Sequence, residues 1–177
     1  MLVSFFPPWR GKKFNAQKSS KCQQVHYFSN NVFPKIHIKC RKMQKTLLFK
    51  TEKHEELLDI TNEVSRVVTE SGIETGIVNV YVQGATAGIM IQENWDNSVQ
   101  TDVLNWLKKT FPNGIWQHDA QDNNGDSHLK AGFPGPSESI PVIKGKPGLS
   151  TWQNIFLCEF DGPRSKRSVV VTIYDAE

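Results

Sequence analysis

Two histidines that flank a polar loop are the residues of this sequence best suited to chemistry. His118 and His128 bracket a segment rich in Asp, Asn and Gly that begins at Asp119. Imidazole titrates near neutral pH and binds metals, so two rings beside a carboxylate could transfer protons or hold a divalent cation. The ordinary structural explanation is one exposed loop histidine and a second held by hydrogen bonds. The residues alone leave both interpretations open.

A carboxylate lies at a predicted strand–helix junction. Glu93 ends a predicted strand, and Asp96 opens the next predicted helix. A carboxylate at such a junction could act as an acid or base, or hold Mg²⁺. Helix capping by Asp96 and simple surface exposure of Glu93 explain the pair equally well.

Several basic and hydroxyl residues could bind an anion together. Lys130 follows His128 by two positions, so on the strand that we predict there, the two side chains share a face. Ser137 follows a Gly-Pro pair and offers a hydroxyl group. Arg164 and Arg167 lie in a predicted turn, and a guanidinium binds phosphate through two parallel hydrogen bonds. Each cation alone is more simply a solvated charge, but as a group they predict phosphate binding.

A polar triplet, Thr151-Trp152-Gln153, opens a strand-like apolar run. The indole of Trp152 could stack on a heteroaromatic ring, and packing in the core explains it equally well. Cys158 lies within the run, and the three cysteines of the chain form no CxxC motif. We interpret them as reduced thiols and Cys158 as a small buried apolar residue rather than a nucleophile.

Charge is distributed unevenly over the 177 residues. Residues 1–42 contain nine Lys and Arg and no acid, so they carry +9. Since the whole chain carries +3, residues 43–177 carry −6. A domain at −6 lacks the clustered cations that nucleic-acid binding needs. The longest uncharged stretch, 75–92, is interrupted by polar residues and glycine, so no membrane span is predicted.

The basic segment 1–42 has no sustained hydrophobic period. Its composition suits an organellar transit peptide, and a translation start at Met43 or an ordered structural arm would explain it as well. A start at Met43 predicts a cytoplasmic protein, and a transit peptide predicts an organellar one.

The remaining chain predicts a single α+β domain of mixed or antiparallel sheets with two packed helices, because strands outnumber helices and no βαβ rhythm is sustained. The predicted helices are 55–71 and 96–110, and the main predicted strands are 46–51, 76–83, 87–92, 127–132, 140–144, 153–160 and 168–174.

Several motifs, in this order along the chain, resemble those of the YjbQ family over about residues 43–177. Glu93-Asn94 resembles its Asn-Glu-Asn helix start, and His128-Leu-Lys resembles its His-Leu/Ile-Lys element. The stretch from Ser139 to Arg164 resembles its signature, which is Ile-Pro-Val, a Gly-rich turn and Thr-Trp-Gln.

The resemblance implies a homotrimer that acts on phosphorylated small molecules and has a secondary thiamine-phosphate synthase activity. It favours function for His118 and His128, which match two histidines of the family pattern. Gly84 stands where the family has a third histidine. A complete three-imidazole zinc site is therefore not carried over, and a divalent metal, Mg²⁺ or Zn²⁺, remains an expectation.

Two functional hypotheses follow. The first is a small-molecule transferase that joins a pyrimidine pyrophosphate to a thiazole phosphate, and the alternative is a non-catalytic module that binds a metabolite or metal. The catalytic candidates are His118, His128 and Glu93; the substrate-binding candidates are Lys130, Ser137, Thr151, Trp152, Gln153, Arg164 and Arg167; the metal candidates are His118, His128 and Asp119.

Overall fold

The computed structural model describes residues 42–176, and the basic segment before Lys42, with its transit-peptide and alternative-start interpretations, lies outside the described residues. The described chain forms eight strands and four helices. In order they are β1 (Lys42–Phe49), β2 (Glu56–Asp59), α1 (Thr61–Ser71), β3 (Thr75–Val82), β4 (Ala87–Glu93), α2 (Ser98–Thr110), α3 (Asp119–Asp122), α4 (Gly125–Gly132), β5 (Ser137–Ile143), β6 (Lys146–Pro147), β7 (Gln153–Glu159) and β8 (Arg167–Asp175).

Five strands form one antiparallel sheet in the order β1-β8-β3-β5-β6. Strict alternation in the sequence produces its two faces. In β3, Val78, Val80 and Val82 are fully buried, whereas Ile77 and Tyr81 on the opposite face are about half exposed. Because successive side chains of a strand point to opposite faces of the sheet, one set of residues lies in the core and the other lies outside it.

The second sheet is a three-stranded antiparallel sheet, β2-β7-β4, and it lies between two apolar cores. Ile155 and Leu157 in β7 belong to the core shared with the five-stranded sheet and α1. Phe156 and Cys158 belong to the core shared with α2 and α4. The continuous apolar run of β7 is explained by this double burial. Burial raises the pKa of the Cys158 thiol to about 12, as expected for a structural cysteine.

The α+β class is confirmed, but the helix count, the start of the first helix and the type of the element at 127–132 were wrong. The helix predicted from residue 55 begins only at Thr61, because residues 56–59 pair with β7 as a strand. Asp59 accepts hydrogen bonds from the backbone N–H and hydroxyl of Thr61 at 2.9 and 2.6 Å, which orders the new start. Gly72 ends α1 in a left-handed conformation, as its sequence position predicts.

The segment predicted as a strand at 127–132 is the helix α4, Gly125–Gly132. Asp126 and Lys130 form an ion pair one helical turn apart, and Ser127 Oγ donates to Phe160 O at 2.6 Å. The expectation that His128 and Lys130 share a face is therefore wrong, because residues two apart on a helix point about 200° apart. Six residues are too few for periodicity to separate a helix from a strand.

No helix among residues 42–176 is long and apolar enough to cross a bilayer.

We expect Leu157→Ala to lower the free energy of unfolding by about 3 kcal/mol, because it leaves a cavity between the two sheets. Leu48→Ala is the matched control, since Leu48 is 58 % exposed and Leu157 is fully buried. Urea denaturation of both variants measures the difference. An equal, small effect of the two substitutions would contradict the two-core architecture.

Candidate functional site

The structure brings His118 and His128 together. His118 immediately precedes α3, and His128 lies on α4. Their ring centroids are 4.8 Å apart and the rings are nearly perpendicular. His118 is exposed and His128 half-buried, and no ring nitrogen of either forms a hydrogen bond with the described residues. Both imidazoles are therefore open to a ligand.

His128 also lines a cleft of about 530 Å³ between the second half of α4 and the β3–β4 turn. Its other lining residues are mostly small: Tyr81, Gln83, Gly84, Ala85, Ala87, Ala131, Gly132 and Pro136. Clefts of 300–1,000 Å³ are the usual size for small-molecule sites. The family resemblance placed Gly84 at the position of a third histidine, and the place of Gly84 in the cleft of His128 agrees with that assignment.

Asp119 does not point its carboxylate at the histidines as a free ligand. Its Oδ2 accepts from the Trp116 N–H at 2.8 Å, and its Oδ1 accepts from the Gly125 N–H at 2.8 Å. The carboxylate thereby fixes the loop between α3 and α4 and sets the start of the helix that carries His128. Its predicted metal-binding role is better explained as a structural one.

Within residues 42–176, no group of three His, Cys, Asp or Glu side chains could hold a metal ion. Catalytic zinc sites take three protein ligands, and the imidazole pair supplies two. The donors of the described chain do not complete such a site, so metal binding stays a prediction.

Lys130 is not available for phosphate, contrary to the sequence prediction. It is 1 % exposed and its Nζ donates to Glu55 Oε1 at 2.5 Å and to Asp126 Oδ2 at 2.7 Å. Burial alone would lower the pKa of Lys130, but its hydrogen bonds to the Asp126 and Glu55 carboxylates outweigh burial and raise it. Asn113 completes the cluster by donating to Asp126 at 3.1 Å. This buried cluster anchors α4 to the loop before β2.

Arg167 is also buried rather than displayed in a turn. It begins β8, is 8 % exposed, and pairs in a bidentate manner with the fully buried Glu159. Nε donates to Glu159 Oε2 at 2.6 Å and Nη2 donates to Oε1 at 2.5 Å. Nη2 further donates to Thr86 Oγ1 at 2.9 Å, and Thr51 Oγ1 donates to Glu159 Oε2 at 3.1 Å.

The remaining predicted site residues do not all gather at the histidine pair. Glu93 pairs with Gln153 at the far end of the three-stranded sheet from Ala87, which is about 20 Å along a seven-residue strand. Trp152 lies at that far end too, 50 % exposed, with its ring 4.6 Å from Trp95. It neither packs in the core nor lies beside His128.

Thr151 shares the turn with Trp152, and Gln153 Oε1 accepts from the Ser150 N–H at 2.9 Å. Arg164, partly exposed, pairs with Asp161. Ser137 pairs with Tyr81 in the sheet and is next to Pro136, so it lies beside the cleft of His128. The predicted substrate-binding set is therefore divided between two ends of the domain.

The sequence analysis did not predict the carboxylates that pair with Lys130 and Arg167. Glu159 is a buried charge at the end of an apolar run, whereas Asp126 is a buried charge within the polar segment before His128. A charged residue in an apolar strand requires a partner, and that was the available signal for Glu159. The identity of the partner depends on contacts between distant segments.

The chain matches the family model described as "UPF0047 protein YjbQ-like" over residues 45–176. It is 42 % identical over 134 residues to a UPF0047 protein of Methanocaldococcus jannaschii, covering 76 % of this chain and 96 % of the relative. It is 40 % identical over 127 residues to the UPF0047 protein YugU of Bacillus subtilis, covering 70 % and 94 %.

A crystal structure described as a YbjQ-like protein of unknown function from Sulfolobus solfataricus superposes with a TM-score of 0.74. The two sequences are 37 % identical, and the match covers 77 % of this chain and 99 % of that one. The antiparallel two-sheet fold is thus shared with an experimentally determined structure.

We expect Glu159→Gln to destabilise the protein by about 3 kcal/mol at neutral pH, because it leaves the Arg167 cation buried beside a neutral amide. Burial alone would raise the pKa of Glu159, but hydrogen bonds from Arg167 outweigh burial and hold it below its usual value. The stabilisation from the ionised carboxylate is therefore complete above the unfolded-state pKa of about 4.3 and decreases as the pH falls toward the lower folded-state pKa.

Urea denaturation across this acid range measures the effect. The stability difference between parent and Glu159→Gln should shrink as the pH falls. Glu52→Gln is the control, because the Glu52 side chain is 75 % exposed. A pH-independent difference would show that the charge of Glu159 is not the stabilising element.

Proposed function

The chain belongs to the YjbQ family, and on that premise we propose that it is a small-molecule enzyme whose His118–His128 pair performs acid–base chemistry on a phosphorylated substrate. The first reaction to test is the one that the family resemblance implies, a secondary thiamine-phosphate synthase reaction. The observation that carries the proposal is the perpendicular pair of imidazoles, 4.8 Å apart, one of which lines a ligand-sized cleft.

The state of the two rings supports proton transfer. Neither ring is held by a hydrogen bond from the described residues, so neither is fixed in one tautomer by a structural partner. One imidazole can accept a proton while its neighbour donates one, and positioned acid–base groups contribute about 10²–10⁴-fold to a rate.

In the proposed reaction, a thiazole ring nitrogen attacks the methylene carbon of the pyrimidine, and the C–O bond to pyrophosphate breaks with its electron pair leaving on oxygen. Such a displacement depends mainly on alignment of the two reactants and on stabilisation of the leaving anion. An imidazolium can donate a proton to the departing pyrophosphate. The cleft beside His128 supplies the space for alignment.

A specific observation favours the non-catalytic alternative, a module that binds a metabolite or metal. Two of the three cations expected to hold phosphate, Lys130 and Arg167, form buried ion pairs with carboxylates. Their charge is largely compensated, which reduces the stabilisation available to a leaving pyrophosphate. A binding function requires less of that stabilisation than catalysis does.

We expect His118→Ala and His128→Ala each to reduce turnover of the pyrimidine pyrophosphate and thiazole phosphate by about 100-fold or more, since each removes one proton-transfer group. The melting temperature should stay close to that of the parent, because no hydrogen bond among the described residues is lost. Pyrophosphate release by the full-length chain measures turnover.

His54→Ala is the control for this experiment. His54 lies 3.3 Å from Gly162 O and lines a different cleft, so its loss should leave turnover unchanged. Parent-like turnover in both pair variants would refute the catalytic role. Thermal stabilisation of the parent by either precursor without turnover would favour the binding module instead.

A further inference from the structure

One edge of the Arg167 guanidinium forms no hydrogen bond with residues 42–176. Nε and Nη2 make all three of its hydrogen bonds, two to Glu159 and one to Thr86. Nη1 donates to no acceptor among residues 42–176. The fully buried side-chain polar atoms that lack a partner in this part of the chain are Gln100 Oε1 and Asn124 Oδ1. Since Nη1 is not among them, it reaches solvent although the residue is more than nine-tenths buried.

The open Nη1 lies against Gly84. A Cβ atom at position 84 would stand 2.8 Å from Nη1, closer than real Cβ contacts. Gly84 also lines the cleft that contains His128. The glycines with positive φ are Gly72, Gly114, Gly135 and Gly145, so the backbone at 84 does not itself demand glycine. A side chain at position 84 would instead occupy the space that the guanidinium needs.

We propose that Gly84 determines ligand specificity by opening an oxyanion subsite, in which the free edge of Arg167 and the ring of His128 hold a terminal anionic group of the ligand. The inference rests on the proposed function in placing the ligand at the His128 cleft. It assigns the anion-binding role to Arg167 alone among the predicted cations of this region, because the Nζ of Lys130 is held by two carboxylates.

The chemistry of the subsite defines the class of ligand. Nη1 offers two N–H donors, and an imidazole N–H of His128, which lines the same cleft as Gly84, offers a third. Glu159 already compensates most of the Arg167 charge, so the subsite recognises acceptor geometry more than net charge. A phosphate ester or a carboxylate of a small molecule meets these requirements, and an uncharged apolar group does not.

The bidentate pairing with Glu159 holds the Arg167 guanidinium in one position. An unpaired arginine side chain would move away from a new Cβ at little cost. Here the Nε and Nη2 edge is fixed by Glu159, so Nη1 cannot withdraw without lengthening those bonds. The methyl group of Gly84→Ala and the guanidinium edge cannot both keep these positions, so the substitution should close the approach of an anion to Nη1.

The test is calorimetric titration of the full-length parent, Gly84→Ala and Gly132→Ala with inorganic phosphate, and separately with acetate, at constant ionic strength. Gly132→Ala is the matched control, because Gly132 lines the same cleft and a Cβ there meets no atom within 4 Å. We expect the parent to bind phosphate, Gly84→Ala to bind it about tenfold more weakly or worse, and Gly132→Ala to match the parent. Acetate binding with the same dependence on residue 84 would support the subsite and assign it to carboxylates.

Two results would overturn the proposal: no binding of either anion by the parent, or equal binding by the parent and a folded Gly84→Ala. If Gly84→Ala does not fold, the guanidinium ¹⁵N resonances of Arg167 in the parent decide the matter, since they should shift on phosphate addition and those of Arg66 on α1 should not. If anion binding depends on residue 84 but the protein shows no turnover, the subsite is upheld and the enzymatic proposal is refuted. If the protein turns over substrate and Gly84→Ala binds anions as the parent does, the enzymatic proposal is upheld and the subsite is refuted.

Discussion

The buried pairing of Arg167 with Glu159 is the interaction on which the rest of the architecture depends. Arg167 starts a strand of the five-stranded sheet, and Glu159 ends a strand of the three-stranded sheet, so the pair joins the two sheets directly. Thr51 and Thr86 add hydrogen bonds from the loops on either side. Removing one partner would leave an uncompensated charge in the interior, which the protein cannot solvate. The loop geometry around the His128 cleft follows from this junction.

A second set of buried polar contacts places the histidine pair. Lys130 holds α4 to Glu55, Ser127 holds it to the end of β7, and Asp119 fixes its first turn. None of these residues needs to touch a ligand. They determine where the His128 ring lies relative to His118, so they act on any chemistry of the pair through its position. Lys130, predicted to bind substrate, and Asp119, predicted to bind a metal, thus hold the element that carries the imidazole.

The domain presents two separate polar regions. One contains His118, His128 and Gly84 near the start of β4, and the other contains Glu93 and Trp152 near its end. About 20 Å of strand separates them within one chain. The edge-to-face pair of Trp95 and Trp152 leaves both indoles largely exposed, which distinguishes that region from the small-residue cleft.

The sequence by itself determined the family, the α+β class and most strand positions, because the alternation of apolar residues in β3 and the continuous apolar run of β7 both report burial directly. It also identified the two histidines, since residue type and spacing within one loop are local properties. It could not determine that 127–132 is helical or that Lys130 and Arg167 are buried. Those outcomes depend on Glu55, Asp126 and Glu159, of which Glu55 lies 75 positions from Lys130. Only the tertiary structure decided which cations were neutralised and which guanidinium edge remained open, because the energy of a buried charge depends on a partner that the fold, rather than the local sequence, brings near.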